Sequence, residues 1–500
     1  MGRVRSLVVL CASVLDGFES FLPFGRICEK EHIVRNRLSV ALLLSAAGLW
    51  LAPRGLGQEA PGHTIGIAAQ YPGDTGIEQD PSVIFAEGFE GKELPTVEYG
   101  KIGGFYDVHG FPKVMYFTDK EAAVGKQSLE LLHPEKVISP AWFHRNFPGH
   151  DIVYVRFYRK FEEDWVWPVL GQHDTLIFAG KYDSPATTDL SVYLDISGVK
   201  QKWPARNTVA VEALDKQPEM VLRSCFQGPN LEFGIGLPIV SHVGWDNYYL
   251  LPYNRAAAPV LEGGRWYCFE YMAKLNTPGR RDGEVRMWVD GRLITEMGAF
   301  SLKKGEWTDV AVKARDLRVG FGWSPGASLE GSNLHNLKII FQGKDSDRFL
   351  IDDFSVSAGG KTIYQEKFEA SAGKFLNGEL VAGGFGGSKA YSFGPKGCWI
   401  WDAFATPADD TATLHFKLKP LGDSDKVTLI VWSDKLKANC LYDVSGLLLR
   451  DAAHGNIKFD RWMIGPRYGG PGFKEGPPRT QKSWVDGIVV STRYVGPAKQ

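Results

Sequence analysis

Net charge is what this chain most conspicuously lacks: 57 Lys and Arg against 58 Asp and Glu leave a formal −1 over 500 residues. Binding that rests on phosphate neutralisation needs a basic excess, so nucleic acid is not an expected partner, although a local basic face is compatible with this total. Cysteine is also scarce, with 6 in all. No CxxC and no His/Cys cluster is present that would hold zinc. There is no Walker loop, no Rossmann glycine pattern and no HExxH, which removes the nucleotide-binding and zinc-protease readings. No stretch carries a long apolar stripe at helical spacing.

The longest apolar run is short. Arg35-Asn36-Arg37 precedes residues 38–52, which end in Pro53-Arg54-Gly55-Leu56-Gly57. A basic segment, a short apolar core and small residues at the exit are the pattern of a secretory signal peptide, and the run is short for a membrane span. Its distance from Met1 implies that residues 1–33 are an over-extended start, with Val34 as initiator if its codon is GTG. The rival reading is a signal anchor with a cytoplasmic tail. The expectation is therefore an exported protein, secreted or periplasmic, with residues 1–57 removed and residues 58–81 a polar, Gly/Pro-rich leader.

What the chain has in quantity is aromatic residues, at 12%, together with 57 Gly and 28 Pro. That mixture favours an all-β, turn-rich protein. Residues 265–296 show the pattern most clearly. Tyr267, Phe269, Tyr271, Ala273 and Leu275 alternate with Trp266, Cys268, Glu270, Met272 and Lys274. Strand side chains alternate between faces, so the first set predicts a core face and the second an open one. After the turn formers Asn276-Thr277-Pro278-Gly279 and Asp282-Gly283, Val285, Met287 and Val289 alternate with Glu284, Arg286 and Trp288. Asp290-Gly291 marks another hairpin. Residues 152–161 repeat the scheme, with Val153, Val155, Phe157 and Phe161 inward and Tyr154, Arg156, Tyr158 and Lys160 outward.

Two strings occur twice. Val83-Ile84-Phe85-Ala86-Glu87-Gly88-Phe89-Glu90 is echoed by Thr362-Ile363-Tyr364-Gln365-Glu366-Lys367-Phe368-Glu369. Leu350-Ile351-Asp352-Asp353-Phe354-Ser355-Val356-Ser357 is echoed by Trp484-Val485-Asp486-Gly487-Ile488-Val489-Val490-Ser491. The simplest account is two tandem antiparallel β-sandwiches of jelly-roll type, each opening on the first string and closing on the second. On that account residues 82–358 form a large sandwich with long loops, and residues 361–500 a smaller accessory or carbohydrate-binding one. The boundary is a flexible link at Ala358-Gly359-Gly360.

The hairpin WYCFEYMAKLNTPGRRDGEVRMWVDG, residues 266–291, resembles the corresponding hairpin of concanavalin A-like β-jelly-rolls. It is most similar to the alginate and glucuronan lyase type, polysaccharide lyase families 14 and 20. The strings YPGDTGIEQDP (residues 71–81) and VDGIVVSTRYVGP (residues 485–497) also resemble segments of uncharacterised secreted bacterial families. The resemblance covers the first unit and the terminal string. It implies Lys, Tyr and Arg on a concave sheet acting on a uronic acid polymer. It carries no catalytic signature, and the same scaffold serves lectins, lyases and glucanases.

β-Elimination at a uronate needs a cation on the carboxylate, a base for the C5 proton and an acid for the leaving O4. Arg is suited to the first role. The expected assignment is Arg156 as clamp, Tyr158 or His173 as base, and Tyr158 or Lys274 as acid. Tyr154, Lys160, Lys181, Glu270, Arg286 and Trp288 complete the substrate face. The bland alternative is a solvated sheet face with cross-strand ion pairs. A glycosidase would need two carboxylates at close range. The one-strand Glu-x-Asp-x-Glu pattern is absent, and only Glu270 and Glu284, facing across the hairpin, keep that class open. Binding without catalysis would use Trp165, Trp167, Trp266 and Trp288 as sugar platforms, with Trp399 and Trp401 in the second unit.

No cofactor is required on this reading. A structural Ca²⁺ would be held by Glu90 with Asp352 and by Glu369 with Asp486, where turn capping is the rival explanation. Export permits disulfides, and sequence proximity pairs Cys225 with Cys268 and Cys398 with Cys440, against four buried free thiols. The expected protein is a monomeric, polysaccharide-active jelly-roll, a lyase first and a non-catalytic carbohydrate binder second.

Overall fold

The computed structural model describes residues 65–98, 101–138, 140–167, 172–180, 190–196, 221–227, 230–236, 248–250, 261–298, 300–319, 329, 331–387, 389–409, 411–447, 449–450, 452, 455–456, 458–468 and 476–498. The expected signal peptide therefore lies outside the described residues, as do Lys181 and the side chains of His173 and Cys225. Gly62–Gln500 is one compact unit. Among the described residues its elements are strands and short 3₁₀ turns, so the all-β expectation holds.

The alternation read from residues 152–161 and 265–296 is realised side chain by side chain. Val153, Val155, Phe157, Tyr267, Phe269, Tyr271, Ala273, Val285 and Met287 are fully buried in one core. They project from an eight-stranded antiparallel sheet. Its order is Arg292–Met297, Glu284–Val289, Trp266–Lys274, Ile152–Phe161, Gln481–Ser491, Ser128–His133 and Met115–Thr118, with Val83–Glu87 pairing against Gln481–Ser491. Phe143, Phe147, Phe459, Trp462 and Ile464 close the core from a second, five-stranded sheet. That sheet runs Phe105–His109, Trp142–His150, Lys458–Tyr468, Gln172–Gly180, Leu190–Ile196.

A separate core lies in a second sandwich. One of its sheets runs Thr308–Lys313, Thr413–Pro420, Phe349–Ala358, Lys389–Phe393, Gly378–Ala382, with Lys361–Glu366 pairing on Phe349–Ala358. The other runs Arg318–Val319, Ala438–Asp443, Lys426–Ser433, Asn333–Gln342, Cys398–Pro407.

The sandwiches are nested, not tandem. Lys458–Tyr468 and Gln481–Ser491 return to the first sandwich, so the second is inserted between Arg292–Met297 and Lys458–Tyr468. The expected boundary at residues 358–361 is a tight hairpin inside one sheet: Ala358 pairs with Lys361, and Gly359 and Gly360 take φ of 55° and 76°. Consecutive left-handed residues are what a two-residue turn between twisted strands requires.

The echoes are genuine structural repeats in a different order. In each copy the Glu of the first string accepts the N–H of the Phe two residues on: Phe89 to Glu87 at 2.8 Å, Phe368 to Glu366 at 2.9 Å. In each copy the two strings pair side by side, Val83–Glu87 on Gln481–Ser491 and Lys361–Glu366 on Phe349–Ala358. The first sandwich joins them from its two ends. The second places the closing string before the opening one and links them by the diglycine turn, a circular permutation of the same pattern.

Candidate functional site

The face expected to hold substrate is covered by the chain's own ends. Residues 65–80 and 492–498 lie over it, tied together where Ile67 and Ala68 donate to the carbonyls of Tyr494 and Val495 at 3.1 and 2.9 Å. Arg156 is fully buried and pairs with Asp74 at 2.6 Å. Glu270, 2% exposed, accepts the N–H groups of Val495 and Gly496, both at 2.7 Å. The hydroxyl of Tyr158 accepts the N–H of Ala498 at 2.8 Å, and burial pushes its pKa far up. The Trp288 ring packs on Tyr494 at 4.9 Å, and Tyr154 packs on both. At the margins Lys160 pairs with Glu121, Lys274 with Glu284, and Arg286 with Glu284 and Glu296.

These eight side chains do share one sheet face, as their alternation predicted, but five of them seat the two covering segments and the other three make ion pairs at its margin. Nothing in periodicity distinguishes an outer face that meets water from one that meets another part of the chain. The string at residues 71–81 and the second half of the string at residues 485–497 supply that cover, while residues 485–491 are a strand of the sheet itself. Glu270 and Glu284 cannot act as a hydrolase pair, because Glu270 stands opposite Trp288 and both its oxygens are occupied. Trp165 is core, and Trp167 packs against the core.

Glu90 sits beside Asp486, and Glu369 beside Asp352, the reverse of the expected partners. The oxygens of Asp486, Asp352 and Glu90 cap backbone. Asp486 accepts N–H groups from Ala123, Val124 and Gly487 at 2.7, 2.9 and 2.6 Å. Asp352 accepts from Asp353 and Phe385, both at 2.8 Å. Glu90 accepts from Lys126 and Gln127 at 2.7 and 3.0 Å. Among the described residues no group of three or more His, Cys, Asp or Glu is placed to hold a metal.

Cys268, Cys398 and Cys440 are buried free thiols, which overturns both expected disulfides. Cys398 and Cys440 lie in one sheet with two strands between them. That separation is about 14 Å at ordinary strand spacing, well beyond a disulfide's reach.

The other sheet of the first sandwich presents a different outer face. Phe143 and Phe147 point into the core, which sends Trp142, His144 and Asn146 the opposite way. Register sets Tyr106 opposite His144 and His109 opposite Trp142. The rings stack in those pairs, at 5.2 Å and 27° for Tyr106–His144 and 4.1 Å and 13° for His109–Trp142. Between Tyr106 and His109 the pairing slips, and Asp107 takes a left-handed φ of 49°. A bulge of this kind re-aims a side chain. Asp107 accepts the Trp142 indole N–H at 3.1 Å and lies 3.5 Å from His144 Nε2.

On the next strand Arg461 stands opposite Asn146, and Met463 opposite His144. Burial, and then the Arg461 guanidinium, push the His144 pKa down to about 4, against a smaller opposing pull from Asp107. The imidazole is therefore neutral at pH 7. Asn146 is 1% exposed and donates to the Lys101 carbonyl at 3.1 Å, while its Oδ1 is buried without a hydrogen-bond partner. A buried acceptor left unpaired costs free energy and calls for a partner, water or ligand. The backbone register continues the row, with His173 opposite both Arg467 and Asp195.

The backbone of His173 thus lies in the five-stranded sheet and not in the eight-stranded sheet of Arg156 and Tyr158, which separates it from the residues it was expected to join. Tyr106, Asp107, His109, Trp142, His144, Asn146 and Arg461 were not singled out from sequence. The signal was present as Trp142-Phe143-His144-Arg145-Asn146-Phe147, a strand with polar aromatics at alternate positions. Gly322-Trp323-Ser324-Pro325-Gly326 fits the Gly-x-Ser-x-Gly nucleophile string. It lies outside the described residues.

No protein-family model matches the chain, and no curated protein matches it in sequence. Among solved structures it is similar to a marine alginate lyase of family PL-14 from Aplysia kurodai, at 8% identity and a TM-score of 0.34, over 82% of this chain and 98% of that one. It is similar to an endo-β-1,4-glucuronan lyase from the fungus Trichoderma reesei, at 8% identity and 0.31, over 80% and 95%. An alginate lyase from Chlorella virus matches at 8% identity and 0.31, over 78% and 92%. Likeness this slight transfers no residue role.

Proposed function

We propose that the chain is an exported polysaccharide lyase that cleaves a uronic-acid-containing polymer by β-elimination on the face built from Tyr106, His109, Trp142, His144, Asn146 and Arg461. The observation that carries the reading is the neutral His144 held between a cation, Arg461, and an anion, Asp107. Arg461 takes the uronate carboxylate, which makes the C5 proton removable, and the Asn146 Oδ1 accepts from a sugar hydroxyl. His144 accepts that proton, and Asp107 steadies the imidazolium that results. The C4–O4 bond breaks as the C4=C5 double bond forms. The leaving oxygen takes a proton from water or from the exposed ring of His109. The His109–Trp142 stack offers a sugar-binding surface beside these groups.

The test is ultraviolet absorbance of the unsaturated product after incubation with alginate, glucuronan and pectate. Product from one of these polymers, and a loss of at least about a hundredfold in kcat for His144→Ala and Arg461→Ala, are the expected results. No product from any polyuronate sinks the reading.

One observation favours the second reading, carbohydrate binding without catalysis: at a pKa of about 4, free His144 is a weak base. Retention on polyuronate without product would select it.

A further inference from the structure

Leu414, Phe416 and Leu418 of Thr413–Pro420 are fully buried, which turns His415, Lys417 and Lys419 to the outer side of their sheet. Two of the three share one carboxylate, Asp309, at 2.6 Å from His415 Nε2 and 3.0 Å from Lys417 Nζ. Aromatic rings are set between the cations. Lys417 Nζ lies 4.5 Å from the Phe385 ring centre and Lys419 Nζ 5.7 Å from that of Trp307. The two rings meet edge to face at 6.2 Å. Phe385 is 45% exposed although its N–H is anchored to the buried Asp352.

The duplicated pattern sharpens this. Asp352, Ser355 and Leu350 stand opposite Lys417, His415 and Lys419. Asp486, Val489 and Trp484 stand opposite Tyr158, Arg156 and Lys160 in the first sandwich. So His415, Lys417 and Lys419 hold the places of Arg156, Tyr158 and Lys160, and Trp307, the residue before Thr308, lies against Lys419 as Trp266 stands opposite Lys160. In the first copy the chain's own ends meet this face, with Asp74 on Arg156 and Ala498 on Tyr158. In the second copy His415 keeps 36% of its side chain exposed, Lys417 16% and their shared partner Asp309 62%, and no segment among the described residues is hydrogen-bonded across them as Ala498 is to Tyr158.

We propose that the face formed by Trp307, Phe385, His415, Lys417 and Lys419 is a non-catalytic binding site for an anionic polysaccharide chain. A polymer with apolar ring faces and one carboxylate per sugar presents to this surface what the surface lacks: rings to stack on and anions for cations that outnumber their carboxylate. The choice of a polyuronate as the polymer rests on the function proposed above. The cationic row and open rings do not.

The experiment is affinity electrophoresis of the full chain, carrying His144→Ala so that the polymer survives, in gels containing alginate, polyglucuronate or neutral dextran. The uronate gels are expected to retard the protein and dextran is not. Phe385→Ala and Lys419→Ala each weaken retardation by about tenfold, while Lys419→Arg keeps it. In the chain with His144 intact, Phe385→Ala and Lys419→Ala leave kcat on short oligouronides unchanged. Full retardation of both alanine variants, or no retardation of the parent, overturns the proposal. So does equal retardation by dextran, or competition by a single-stranded oligonucleotide as strong as by uronate. If no polyuronate is cleaved yet Phe385→Ala still releases the protein from the gel, the lyase reading fails and this site stands. If polymer is cleaved and neither variant changes retardation, the site fails and the lyase reading stands.

Discussion

Asp486 and Asp352 occupy the same place in two different sheets. Each follows a core residue of the long closing strand, each bonds the N–H of the next residue, and each of those next residues, Gly487 and Asp353, is left-handed at 50° and 48°. At both sites the strand slips register against its neighbour just beyond the aspartate. The carboxylate is what holds a bulged strand to the loop that crosses it, Ala123-Val124 in one copy and Phe385 in the other.

Truncating either aspartate therefore orphans buried donors. Asp486→Ala strands three N–H groups and Asp352→Ala two. At roughly 1–3 kcal/mol for each buried donor left unsatisfied, Asp486→Ala is expected to lower unfolding free energy by at least about 2 kcal/mol, and by more than Asp352→Ala. Urea unfolding of the two variants measures both. Equal midpoints to the parent would mean that the bulge holds itself.

Burial also lifts two carboxyl groups into the neutral range. It raises Asp486 and Glu270 to about 7 each, against the N–H bonds that pull them down. An acid whose folded pKa exceeds its unfolded value binds its proton more tightly in the native state. Its stabilising share is complete below the unfolded value near 4 and is lost as pH rises through about 7. Melting temperature is expected to fall between about pH 4 and 7 and to level off above that. Glu270→Gln, which cannot ionise, is expected to flatten that slope. A parent whose melting temperature rises steadily across this window would remove both groups from the account.

The cover over the eight-stranded sheet yields a separate expectation. Arg156→Ala leaves Asp74 facing a buried gap, and breaking a buried pair on one side costs about 3–5 kcal/mol. The double variant Arg156→Met/Asp74→Ala removes both charges and is expected to recover most of that loss. Neither is expected to change kcat, because this face is closed. A large kcat loss in the folded double variant would return the reacting centre to Arg156, where the sequence first suggested it.

How far the sequence could be read depended on which physical constraint was at stake. Alternation placed Tyr267, Phe269, Val155 and Phe157 in the core correctly, because strand period alone decides that. The echoes at residues 83–90 and 484–491 were visible, because a capped bulge needs particular residues at fixed spacing. Their partners were mistaken, because pairing runs through space: Val83–Glu87 and Gln481–Ser491 meet from opposite ends of the unit. The site was missed for a related reason. Trp142–His150 and Lys458–Tyr468 become neighbours only once the second sandwich is looped out. Arg461 and His144 are 317 residues apart, and no local pattern links them.

The strongest test of the proposed chemistry lies in Asp107, whose carboxylate serves both Trp142 and His144. Its negative charge supports the protonated imidazole and opposes the effects of burial and Arg461. Asp107→Asn keeps an acceptor for the indole but removes that support, so the His144 pKa falls further. The acid limb of the kcat profile is then expected to move to lower pH, and the plateau to drop by about tenfold or more as the base weakens. Trp142→Phe, which frees Asp107 from its indole partner, is expected to shift the limb less. A profile from Asp107→Asn that falls in height without moving along the pH axis would show that Asp107 only orients the ring. A limb displaced toward higher pH would take His144 out of the role of base.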